Sequence, residues 1–129
     1  MEGLIDLVNL RKLYLERNYI SKLDGLDNCR KLEELYLGHQ QLPPNTFFTF
    51  DEYSLAAISN SLRVLDIPDS SLLKIKSLYY LESLDILNIA DNDIDDFENE
   101  VCPLLQTMNV LRTLNMKGNP VCQIPKYRD

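Results

Sequence analysis

Apolar residues return along this chain in a fixed figure. Leu10, Leu13, Leu15 and Ile20 set it, and the same spacing recurs at Leu32, Leu35, Leu37 and Leu42, then at Leu62, Leu65, Ile67 and Leu72. It returns at Leu84, Leu87, Ile89 and Ile94, and again at Leu111, Leu114, Met116 and Val121. Within each copy the alternation Leu13-Tyr14-Leu15 has the period of two that marks a short strand, leucines inward and the intervening side chain outward. Stacked copies predict a parallel sheet. The copies start at 10, 32, 62, 84 and 111, so their steps are 22, 30, 22 and 27 residues.

Those steps predict the return paths. In the two short copies apolar residues fall every third position, at Ile20, Leu23, Leu26, Cys29 and Leu32 and at Leu72, Ile75, Leu78, Leu81 and Leu84. A period of three fits a 3₁₀-like return. In the second copy Pro43 and Pro44 exclude helix and predict an extended loop through Phe48, after which Asp51 N-caps a helix of two to three turns carrying Leu55 and Ile58. In the fourth, Phe97, Val101, Leu104, Leu105 and Met108 have helical spacing, with Asp95 and Asp96 at the positive end and Pro103 starting or kinking the regular part. Where the chain leaves each strand stands Asn18, Gln40, Ser70, Asn92 or Asn119. An amide there can donate to and accept from neighbouring backbone, so a structural turn ladder is expected, less regular at Gln40 and Ser70.

From Leu10 to Val121 the pattern resembles the leucine-rich-repeat family. The resemblance implies an α/β solenoid with a parallel β-sheet on the concave face and 3₁₀ and short α-helical returns on the convex face. It implies one domain over 1–129, with a partial repeat at 1–9 and a partial C-terminal cap at 118–129. Gly118-Asn119-Pro120-Val121-Cys122 through Arg128 resembles the start of the cap of the 22-residue class. Solenoids need polar terminal repeats, and Leu4, Leu7 and Leu10 already keep the three-residue period. A segment of a longer solenoid, or an N-terminal edge covered by a second copy, is therefore expected.

Composition narrows the chemistry. A chain of 129 residues that is 45% apolar and 26% charged fits one soluble domain, with no membrane-length apolar run and no basic-then-apolar leader. The net charge of −7 repels nucleic acid at long range. Cys29, Cys102 and Cys122 lack the spacing of a disulfide framework or zinc site and are read as reduced thiols of a cytoplasmic protein, Cys29 packed inward. His39 alone makes no catalytic constellation. The acidic run from Asp91 to Glu98 fails as a calcium loop, having no glycine at its sixth position and Cys102 at its twelfth. Glycines at 3, 25, 38 and 118 build no phosphate loop. The expectation is a protein-binding module without catalysis, metal or cofactor.

In this register the third, fifth and seventh positions face outward from the strands, with the eighth at the rim. Tyr14 and Tyr36 beside Val64 and Ile86 form an apolar centre, ringed by Glu16, Glu34, Asp66, Asp69 and Asp91. His39, Asn88, Asn115 and Lys117 complete the expected partner-binding face, and the partner patch should be basic with an apolar centre. Three stretches, Leu35-Tyr36-Leu37-Gly38, Gln41-Leu42-Pro43 through the insertion to Leu62, and Asn119 through Asp129, resemble the Sds22-like class. Within it they look most like the leucine-rich-repeat regulatory subunits of protein phosphatase 1 associated with centrosomes and microtubules. That resemblance implies the phosphatase catalytic subunit and microtubule or centrosome proteins as partners, and a place at the cytoskeleton, centrosome or cilium base. One departure stands out. Arg63-Val64-Leu65-Asp66 ends in Asp where the phosphatase-docking motif needs Phe or Trp. Ciliary dynein light chains and assembly factors offer a competing adaptor resemblance.

Overall fold

Each leucine triplet folds as the alternation dictates. In the computed structural model, which describes residues 8–123, β1 (Lys12–Tyr14), β3 (Glu34–Tyr36), β5 (Val64–Asp66), β6 (Ile86–Asn88) and β7 (Thr113–Asn115) form one sheet in the order β1-β3-β5-β6-β7. All pairs are parallel and in register, so Leu13, Leu35, Leu65, Leu87 and Leu114 stand side by side. Repeat starts and strand starts thus agree at every copy. The expected partial repeat before residue 8 and the cap beyond residue 123 lie outside the described residues.

The interior is the leucine figure itself. Leu32, Leu35, Leu37, Leu62, Leu65, Ile67, Leu84, Leu87 and Ile89 are fully buried, and the returns contribute Leu26, Cys29, Ile75, Leu78 and Leu81. Each such side chain contributes about 1.5–3 kcal/mol by leaving water. The three-residue returns are held by backbone bonds of matching span, from Cys29 N to Leu26 O and Leu32 N to Cys29 O in the first copy. In the third copy the same bonds build a 3₁₀ helix at Lys76–Tyr80.

The long copies differ in instructive ways. The second spends its extra residues on a turn closed by Thr46 N donating to Pro43 O, then on β4 (Thr49–Phe50) and α1 (Glu52–Ile58). The strand β4 pairs in parallel with β2 (Lys22–Leu23) of the first coil, so the insertion builds a second small sheet without breaking the stack. Asp51 caps α1, its carboxylate accepting from Ser54 N at 3.0 Å.

In the fourth copy the helical stretch opens as a π-turn, Phe97–Val101, and continues as α2 (Cys102–Thr107). Pro103 has no N–H to offer a helical carbonyl, and the wider turn, with Cys102 N reaching back to Phe97 O, absorbs that gap. Asp96 accepts from Asn99 N at its start. One expectation fails here: Leu105 is exposed, because the buried line runs through Val101, Leu104 and Met108 and leaves Leu105 one step round the helix.

That π-turn also buries Glu100. Its Oε1 accepts from Ile75 N at 2.7 Å and Lys76 N at 2.9 Å, capping the 3₁₀ helix of the preceding coil. Glu100→Ala leaves both donors without a partner and is expected to lower stability by about 3 kcal/mol in urea denaturation, whereas Glu100→Gln, which keeps an acceptor, should lose well under half of that.

Candidate protein-interaction surface

The register that buries the leucines also fixes what faces out. Lys12, Glu34, Val64, Ile86 and Thr113 form one row across the sheet, and Tyr14, Tyr36, Asp66, Asn88 and Asn115 the next. Tyr14 and Tyr36 stack face to face, ring centroids 4.7 Å apart and planes 2° apart, with Tyr14 60% exposed. Ile86 is exposed and Val64 half-buried.

The apolar centre is nevertheless stepped. Val64 and Ile86 continue the row of Glu34, while the tyrosine row continues into Asp66, whose Oδ2 accepts from Asn88 Nδ2 at 3.1 Å. Tyrosines and aliphatics therefore meet diagonally, still within reach of an aromatic ring. Across the step Tyr36 Oη donates to Glu34 Oε1 at 2.6 Å, and Lys12 Nζ lies 3.5 Å from the same carboxylate.

Glu16, Gly38, Pro68, Ala90 and Lys117 follow at the seventh position. Gly38 is required there, since a Cβ would come 2.8 Å from Pro68 Cδ. At the eighth position Arg17, His39, Asp69, Asp91 and Gly118 all adopt positive φ, between 49° and 82°. This left-handed column turns the chain off the strand, and every step is held by an N–H donated to the next coil: Arg17 to Gly38 O, His39 to Pro68 O, Asp69 to Ala90 O and Asp91 to Lys117 O. His39 Nδ1 and Asp69 Oδ2 stand 3.1 Å apart at the rim.

Behind the rim runs the turn ladder. Asn92 Oδ1 accepts from Ser70 N and Leu72 N of the preceding coil, while its Nδ2 donates to Ile67 O there and to Ile89 O in its own. Asn119 repeats this with Ile94 N and Ile89 O. Gln40 does so too, its extra methylene carrying Oε1 to Ile20 N and Nε2 to Leu15 O, so no irregularity appears there. Ser70 is where the ladder thins: its hydroxyl takes Gln40 N at 3.3 Å and donates to Leu37 O or Pro68 O. Asn18 is exposed and, among the described residues, bonds within its own coil, to Leu15 O and Glu16 O.

Groups with reactive potential are placed otherwise. Cys29 is fully buried, and burial first, then the charge of Asp27, pushes its thiol above the usual range, away from thiolate chemistry. The carboxylate of Asp96 is occupied by Asn99. Among the described residues no group of three or more His, Cys, Asp or Glu side chains could hold a metal ion, and no helix is long and apolar enough to cross a membrane. Two features carry no signal in the apolar pattern: the capping carboxylate of Glu100 and the charges at the second position of each repeat. The latter stand in plain register once the copies are aligned.

A short-coil parallel solenoid with its strands on one face defines the class: these are leucine-rich repeats. Residues 8–47, the first copy and the strand half of the second, match the family model described as Leucine Rich repeats (2 copies), and the sheet carries the same register through three further copies. The chain has the fold of a leucine-rich-repeat solenoid, and solenoids of this kind present extended concave faces suited to binding other proteins.

Two outcomes test this geometry. The Tyr36–Glu34 bond requires a proton on Tyr36 and none on Glu34. It holds Glu34 below the usual carboxylate range, the Tyr36 hydroxyl acting first against desolvation and Lys12 adding its charge, and together with burial it pushes Tyr36 up to about 12. The Tyr36 contribution to stability is therefore complete below about pH 10 and lost as pH rises through about 12. That of Glu34 is present above the ordinary carboxylate range and lost as pH falls through its lowered value. Glu34→Gln should bring the Tyr36 phenol down towards its ordinary value in an ultraviolet titration, and Tyr36→Phe should raise the Glu34 titration followed by NMR; unmoved curves would contradict the bond. Separately, Gly118→Ala drives a Cβ into Asp91 Oδ1 at a φ of 82°, and should cost about 1–2 kcal/mol in thermal denaturation.

Proposed function

We propose that the protein is a non-catalytic adaptor that binds a protein partner through its concave face. The observation that carries this reading is the solvent-facing Tyr14–Tyr36 ring stack, stepping diagonally into Val64 and Ile86 on a rigid in-register sheet. Large aromatic surface held rigid loses little entropy on binding and makes a good anchor. Glu16, Glu34, Asp66, Asp69 and Asp91 surround it, so the partner patch is basic with an apolar centre.

The finer assignment follows the likeness to phosphatase regulators. The partner is the catalytic subunit of protein phosphatase 1 or a microtubule or centrosome protein, met in the cytoplasm near the cytoskeleton, centrosome or cilium base. The docking motif required of linear phosphatase ligands is absent at Arg63–Asp66, and all of that stretch after Arg63 lies in β5, so the contact runs through the folded face.

Capture from cell extract with the chain as bait is expected to retain a phosphatase or tubulin-associated partner, and Tyr14→Ala with Tyr36→Ala to reduce capture at least roughly tenfold, the loss of two interface anchors. Retention of a dynein subunit would replace the phosphatase assignment with an axonemal one. Undiminished capture by the double variant would remove the concave face as the site.

A further inference from the structure

The edge at which the chain enters the strands carries one charged residue per coil, at the second position of the repeat: Arg11, Glu33, Arg63, Asp85 and Arg112. Their signs alternate. Both carboxylates are engaged by the outer arginines, Glu33 by Arg11, and Asp85 by Arg112 through two bonds of 2.7 and 2.8 Å. Arg63, exposed between them, makes no side-chain hydrogen bond or ion pair among the described residues and acts on Asp85 only through its charge. Its planar fork of donors is open.

Arg63 lines a groove of about 590 Å³ with Arg11, Arg30 and Lys31, against Glu33 and Glu82. With Glu33 already paired, the cations dominate locally, in a chain whose net charge is −7. Ser61 and Val110 also line it, offering a hydroxyl and an exposed apolar side chain. The sign is opposite to that of the acidic ring on the concave face.

We propose that this groove is a second docking surface, and that its occupant is an acidic stretch of a protein partner. A carboxylate of that stretch seats on the Arg63 fork, which matches its two oxygens, and further carboxylates meet Arg30 and Lys31. A peptide is favoured over nucleic acid because the chain as a whole repels a dense polyanion, while the groove presents a short cationic run with apolar lining. The proposal is independent of the concave-face reading.

Fluorescence anisotropy of the whole chain with a labelled octaglutamate peptide at low salt tests it. Saturable binding is expected, weakened roughly tenfold or more by Arg63→Glu, strengthened by Glu82→Lys, and unchanged by Tyr14→Ala with Tyr36→Ala. Circular dichroism melting identifies any Arg63→Glu preparation that has not folded, in which case the Glu82→Lys response decides. Absence of binding, indifference to both charge changes, or equal competition by an octathymidylate would overturn the proposal, the last in favour of a general polyanion site.

Discussion

Every coil of this solenoid depends on its neighbour to satisfy its buried backbone. A strand of three residues followed by a 3₁₀ or irregular return makes few hydrogen bonds of its own, yet packing leucines on both sides of it excludes water. The polar groups are therefore served across the stack. Arg11 O accepts from both Glu33 N and Glu34 N, and the same double acceptance recurs at Glu33, Arg63 and Asp85. Gln40, Asn92 and Asn119 reach back to the preceding coil behind the sheet. On the convex side Ser54 takes Leu26 N and Glu100 takes Ile75 N and Lys76 N. Among the described residues no buried side-chain nitrogen or oxygen lacks a partner. Since an orphaned buried donor costs about 1–3 kcal/mol, these bonds determine which stackings of the leucine figure are allowed.

What was legible in the residues follows from that division. Periods of two and three are local, and they placed the strands, the Lys76–Tyr80 return and the side of the sheet on which Tyr14 and Tyr36 stand. The Asp51 cap was legible for the same reason, since a capping carboxylate acts three residues away. Relations between coils were not. The pairing of β2 with β4 links residues 27 positions apart with no shared motif. Glu100 lies two residues beyond the acidic run ending at Glu98 and carries no sequence signal of its own, and the widened turn ahead of Pro103 carries it against the neighbouring return. Leu105, one step round the helix from the buried Val101, Leu104 and Met108, is left outside. The step in the concave patch needed the row-by-row register, because neighbouring positions of one repeat belong to different rows.

The two surfaces differ in how their charge arises. On the concave face the acidic groups gather around aromatic surface, and Tyr36 and Glu34 tie that surface to its ring by a bond whose two partners must hold opposite protonation states. At the strand-start edge the signs alternate through the five described coils, and Arg11 and Arg112 take up the carboxylates of Glu33 and Asp85. Arg63, between those two pairs, is left open among the described residues.

The left-handed column at the eighth position separates folding from display. Glycine would be the cheapest residue at each of its five places, yet only Gly118 uses that freedom, and Arg17, His39, Asp69 and Asp91 accept roughly 1 kcal/mol or more of backbone cost apiece. What secures the turns at Arg17, His39, Asp69 and Asp91 is a main-chain donor reaching the following coil, which is indifferent to the side chain mounted on it. At the four places that already carry a side chain, letters can be exchanged one codon at a time while the track beneath them stays the same, so new specificities can be written along this rim without re-solving the fold.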